Sequence, residues 1–159
     1  MNKRALVAKI IAQLDAELEG YAKSARSAHA EATDPQSKAE NKYDTRGLEA
    51  SYLAHGQSRQ VAETAQARQQ FVELQLQEFG PDDPIDLSAL VELEGEGART
   101  LYFIGPRAGG AEVLHEKKTV LVLTPLSPLG RQLIDRKRGE RLQIEMGGTR
   151  RDYRIVSVA

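Results

Sequence analysis

The chain has no cysteine and no tryptophan, and only 5% of its residues are aromatic. Without cysteine there are no disulfides, no thiol chemistry and no Cys-based zinc site. Histidine is scarce: His29, His55 and His115 are scattered, and none stands four residues from another. A histidine-built metal centre is therefore not expected. No apolar run approaches the roughly 20 residues that span a bilayer. The start, MNKRALVAKIIAQLDAELEG, sets Lys9, Gln13, Asp15 and Glu17 among its apolar positions. The core of a signal peptide would not tolerate them, so a cytoplasmic protein without membrane contact is expected.

Charge of one sign is missing as well. Residues 1–80 carry 10 Lys and Arg against 11 Asp and Glu, and residues 81–159 carry 12 against 12. A free nucleic-acid binder shows a basic excess in its binding domain, and this chain has none of that size.

Proline and glycine are nearly absent from the first half. No glycine precedes Gly20, and Pro35 is the sole proline before residue 81. Small and apolar residues fall at Val7, Ile11, Leu14, Leu18, Tyr21, Ala25, Ala28 and Ala32, in steps of four and three. That spacing predicts a long helix with a heptad seam that narrows toward residue 32. After a break at Thr33–Ser37, a second helical pattern runs from Lys38 to Phe79. Its expected seam is Leu48, Tyr52, His55, Ala62, Ala65, Gln69, Val72, Leu76 and Phe79. Two such helices joined by a short link predict an antiparallel hairpin over residues 1–80, with its tip near 33–40.

The character changes at EFGPDDPIDL. LSALVELEG, RTLYFIGP, KTVLVLTP, GERLQIEM and RRDYRIVSV read as strands. SPLGRQLID reads as a short helix, with Ser127 as N-cap and Pro128 at N1, where its missing N–H costs nothing. DRKRGE turns the chain and Gly147-Gly148 closes a hairpin. Tyr102, Phe103 and Tyr153 are core candidates. Residues 81–159 are expected to form a small α+β sheet domain.

The segment DPQSKAENKYDTR, residues 34–46, holds Asp34, Glu40 and Asp44 interleaved with Lys38, Lys42 and Arg46. Ser37 and Glu40 have the S-x-x-E spacing of a capping box, in which Glu40 reaches back to the Ser37 N–H. Glu40 and Asp44 also share one helical face, which fits either a solvated, charge-striped helix or a pair of metal-facing carboxylates. Arg131, Arg136, Lys137, Arg138 and Arg141 form a basic cluster that reads as a solvated turn or as a phosphate contact.

The order of elements, with the segment TPLSPLGRQLIDRKRGERLQIEMGGTRRDYRIVSV, resembles the Gre-type (GreA/GreB-like) transcript cleavage factors of bacterial RNA polymerase. The matching features are Ser127-Pro128, Gln132-Leu133-Ile134, Gly139 and Gly147-Gly148; Glu40-Asn41-Lys42-Tyr43 is similar to the family's Glu-Asn step at the hairpin tip. The resemblance implies a coiled-coil hairpin followed by an FKBP-like twisted-sheet domain that docks on the rim of the polymerase secondary channel. It implies a transcription elongation factor, not an enzyme on its own. Its docking residues would be Leu126, Ser127 and Pro128. The tip acids Glu40, Asp44 and Asp34 would meet a Mg²⁺ shared with the polymerase active centre, near the RNA 3′ end, with no cofactor held tightly. Where the family has an Asp three residues before that Glu, this chain has Ser37, and Leu126 stands where a polar or acidic residue is usual. Two alternatives stay open: a secondary-channel regulator that does not stimulate cleavage, and a coiled-coil partner-binding protein unrelated to polymerase.

Overall fold

The computed structural model describes residues 1–33 and 46–159. It contains α1 (Lys3–Thr33), α2 (Arg46–Glu73), β1 (Leu90–Gly95), β2 (Ala98–Ile104), β3 (Glu112–His115), β4 (Lys118–Leu123), α3 (Pro128–Leu133), β5 (Arg141–Met146) and β6 (Thr149–Val158). A helical region followed by a sheet unit is the architecture expected from the change in period; the sheet has six strands, one more than the five expected, and is mixed. The chain forms two compact units, Ile11–Gln69 and a second made of Met1–Ile10 with Gln70–Ala159. The division thus falls inside the two long helices, not at residue 80.

In the helical unit, Asp15 forms an ion pair with Arg68, which sets the early part of α1 beside the late part of α2. The two helices therefore run antiparallel. Leu14 and Ala67 are buried, and Ile11, Leu18 and Tyr21 are half-buried, as the heptad seam of α1 requires. The seam of α2 needs correction. Ala62, Ala65 and Gln69 are exposed, and the inward face is Val61, Thr64, Ala67 and Arg68. Alanines lie all round this helix and give no phase. The large Phe71 sets it, being buried one helical step beyond Arg68. Leu48, Tyr52 and His55 have side chains outside the described residues.

Helix α2 also ends at Glu73, six residues short of Phe79. Beyond it, Leu74 and Leu76 are half-buried while Gln75 and Gln77 are exposed, the alternation of an extended chain. Tertiary partners take over its backbone groups: the Gln77 N–H donates to Ser88 Oγ at 2.9 Å, and Lys3 Nζ donates to the Gln77 carbonyl.

The sheet has the order β3-β4-β2-β1-β6-β5, with β2 and β4 parallel and every other pair antiparallel. Its three hairpins turn through Glu96-Gly97, Glu116-Lys117 and Gly147-Gly148, and all six residues have positive φ. Such pairs are type I′ geometry, which matches the twist of the strands. Strand β3, absent from the sequence reading, is only four residues long and turns through Glu and Lys where Gly or Asn is usual.

Alternation along the strands gives the sheet two faces. One buries Val91, Leu93, Ile104, Leu142, Ile144 and Ile155 with Leu133 of α3 and Ile85. Tyr102 and Tyr153 pack against its margin. The other face buries Phe103, Val120 and Val122, and there Phe71 lies against Gly105 and Val122. Toward β6 this second face becomes charged: Arg99 pairs with Glu94 at 3.2 Å, and Arg154 with Glu94 at 3.4 Å.

Candidate docking site

Strand β4 ends at Leu123, and Thr124-Pro125-Leu126 carries the chain to α3. Ser127, at φ −65° and ψ 156°, is the N-cap the sequence predicts. Its Oγ accepts from the Gly130 N–H at 3.1 Å and donates to the Thr124 carbonyl at 2.8 Å. One hydroxyl thus satisfies an orphan donor of the first turn and ties the helix start to the strand end. Pro128 sits at N1, as expected.

Gly130 is a positioning residue that the sequence reading passed over. A Cβ there would stand 1.9 Å from the Thr124 carbonyl oxygen, so the close approach admits glycine alone. The signal was present in Ser-Pro-Leu-Gly, where a glycine inside a short helix costs stability unless backbone must pass nearby. Leu133, fully buried, anchors α3 to the core.

The outward side is apolar at its start. Leu126 is 76% exposed and Pro128 is exposed beside it. Three helical positions on, Arg131 is exposed too. Beyond Ile134 the turn is pinned on both sides of Arg138. The Asp135 N–H donates to the Ile85 carbonyl at 2.9 Å, Ile85 N–H to Arg136 at 2.8 Å, and Gly139 N–H to Ile155 at 2.8 Å. Asp135 and Gly139 take positive φ, 66° and 88°. Glu140 is occupied within the turn, accepting from the Lys137 N–H and lying 3.4 Å from Arg136 Nη1. The basic cluster is therefore a rigid display in which Arg136 is paired, whereas Arg131, Lys137, Arg138 and Arg141 show no side-chain partner among the described residues.

Ser127 and Pro128 thus stand where the sequence places them, and Leu126 presents its side chain to solvent. The tip residues Asp34, Glu40 and Asp44, with Ser37, lie outside the described residues. Among the described residues no group of three His, Cys, Asp or Glu side chains could hold a metal ion, and no helix is long and apolar enough to cross a membrane. His115 is buried, with Nε2 3.3 Å from Glu116 Oε1. That carboxylate accepts the Asn2 N–H at 3.0 Å, which holds it below the usual carboxylate range. The concavities on the sheet, one of about 570 Å³ lined by Glu92, Arg99, Glu112 and Lys118, mix both signs of charge.

No family model matches the chain, and no curated protein matches it significantly. Among solved structures it is similar to bacterial transcription factors of the Gre type. These include the GreA factor homolog 1 protein (Gfh1) of Thermus thermophilus, at 21% identity over 94% of both chains with a TM-score of 0.39. Gfh1 of Thermus aquaticus is 22% identical over 92% of this chain and 91% of its own, with a TM-score of 0.41. A GreA/GreB elongation factor from Nitrosomonas europaea is 15% identical over 70% of this chain and 91% of its own, with a TM-score of 0.37.

Proposed function

We propose that this protein is a transcription elongation factor that docks through its sheet unit on bacterial RNA polymerase and reaches into the secondary channel with its helices. The observation that carries the reading is the segment Thr124–Val158. Its Ser127 cap, Pro128 at N1, short helix, Gly139 turn and Gly147-Gly148 hairpin fall in the order the Gre-type motif implies. Exposed Leu126 and Pro128 give that segment an outward apolar contact. The long antiparallel helices supply an element of reach: 31 residues at 1.5 Å each make α1 about 46 Å long. The protein would act with the polymerase and would not be an enzyme alone. The tip acids Glu40, Asp34 and Asp44 would face the polymerase's own Mg²⁺. Such a factor works in the cytoplasm.

A second reading, a channel regulator that does not stimulate cleavage, is favoured by Ser37 where the family carries an Asp. Both readings are tested by retention of purified core polymerase on the immobilised protein, followed by RNA cleavage in a backtracked complex. No retention refutes both; retention without cleavage selects the second.

A further inference from the structure

We infer that the docking footprint has a second, electrostatic half, the rigid turn carrying Lys137 and Arg138, and that the partner surface it meets is an acidic protein segment with an apolar residue at one end. The inference rests on the docking reading above and names the chemistry of that partner. Helix α3 is six residues, so its two ends lie about 9 Å apart. At one end stands Leu126, the most exposed of the large hydrophobic side chains among the described residues. At the other stands the 135–140 turn. Between them Pro128 and Arg131 share the exposed side, being three positions apart on one helix.

Three features make the turn more than a solvated loop. Its backbone is fastened to Ile85 and Ile155 by hydrogen bonds of 2.8–2.9 Å, so its side chains project from a fixed frame. The neighbouring acid Glu140 is consumed by Arg136 and the Lys137 N–H, leaving Lys137 and Arg138 unneutralised. Asp135, and Asp86 on the segment bonded to the turn through Ile85, are exposed acids that oppose only part of the charge of Arg131, Lys137 and Arg138. In a chain of net charge −1 with balanced halves, unpaired cations on a pinned turn form a local positive field. Charge of this kind steers encounter and fixes register, while the apolar residue supplies the anchor. A phosphate backbone would satisfy the cations but has nothing to offer Leu126, which favours a protein partner over a nucleic acid.

The test uses the full chain and purified bacterial core polymerase, titrated at low and at moderate salt. Lys137→Glu with Arg138→Glu is expected to weaken binding roughly tenfold or more at low salt and to flatten its salt dependence. Lys117→Glu with Lys118→Glu, an equal charge change on the β3–β4 hairpin, should leave affinity within about twofold. Lys137→Gln with Arg138→Gln, the milder pair, should show an intermediate loss and guards against misfolding of the first. Wild type that binds while both 137/138 pairs bind equally well at both salts overturns the inference and leaves the docking reading standing. Wild type that fails to bind polymerase removes both. Loss of affinity for a short single-stranded RNA probe with polymerase affinity intact overturns it in favour of a phosphate site.

Discussion

The ring of Phe71 lies so close over Gly105 that a Cβ on Gly105 would fall 2.9 Å from its Cζ and 3.0 Å from Val122 Cγ1. The foot of α2 and the end of β2 are thereby fitted to one another without room for a methyl group. Gly105→Ala should cost about 1–3 kcal/mol by overpacking. Phe71→Ala should cost about 3–5 kcal/mol by leaving a cavity. Denaturant titration of both variants checks this, and a neutral Gly105→Ala would contradict the packing described.

At α3, the Ser127 hydroxyl and the bare Cα of Gly130 predict different losses. Ser127→Ala should lower stability by about 1 kcal/mol, since one cap is removed. Gly130→Ala should lose upwards of about 3 kcal/mol, because the new Cβ meets the Thr124 carbonyl oxygen, which is backbone and cannot swing away. The ranking of the two thermal midpoints is the measurement.

Lys3 gives a pH dependence with a definite sign. Burial lowers its pKa from 10.5, and the charge of Glu78 only partly offsets this. The unfolded chain therefore binds the proton more tightly than the folded one. Stability contributed at this site should rise as pH climbs through the folded pKa toward 10.5, relative to Lys3→Met. Chemical denaturation of both proteins at neutral and alkaline pH reads it; a falling difference would contradict the burial.

Glu116 and Lys117 hold left-handed φ values of 48° and 64° without being glycine. Lys117→Gly should relieve that strain and stabilise the sheet by about 1 kcal/mol. Glu116 is the worse choice for replacement because its carboxylate accepts the Asn2 N–H. A lower midpoint for Lys117→Gly would show that the turn is held for another reason.

At the tip, Glu40→Gln removes only charge, and it leaves a residue that the S-x-x-E/Q spacing of a capping box also accepts. If Glu40 faces the polymerase's Mg²⁺, cleavage of backtracked RNA should disappear at unchanged helicity, and Ser37→Asp should raise it by adding a second carboxylate. Wild-type cleavage is expected to be weak or absent with binding retained. Robust cleavage surviving Glu40→Gln would contradict the metal role.

What the sequence made legible was what is decided locally. The heptad steps through Val7, Leu14 and Tyr21, the Ser127-Pro128 helix start and the Gly147-Gly148 hairpin each follow from a few adjacent residues. The misses were decided by distant partners. Helix α2 stops at Glu73 because Ser88 and Lys3 hydrogen-bond the Gln77 backbone, and β3 exists because β4 supplies its ladder. The expected α2 seam runs on through Val72 to Leu76 and Phe79, but Val72 is exposed and the last two lie beyond the helix, whereas Phe71 marks its buried phase. For the docking site the residues were legible, but the fastening of the 135–140 turn was not, since its hydrogen bonds go to Ile85 and Ile155.

The sheet unit is discontinuous in sequence, and this has a consequence for how the protein is made. Asn2 meets Glu116, and Lys9 reaches the Leu114 carbonyl, across separations of 114 and 105 residues. Contacts so remote close large loops before they return any stability, which slows folding. On the ribosome, the first turns of α1 must wait for β3 to emerge before these contacts with it can form. A fragment cut at residue 80 would strip Phe71 from Gly105 and Val122, and the bared apolar face would drive it to aggregate.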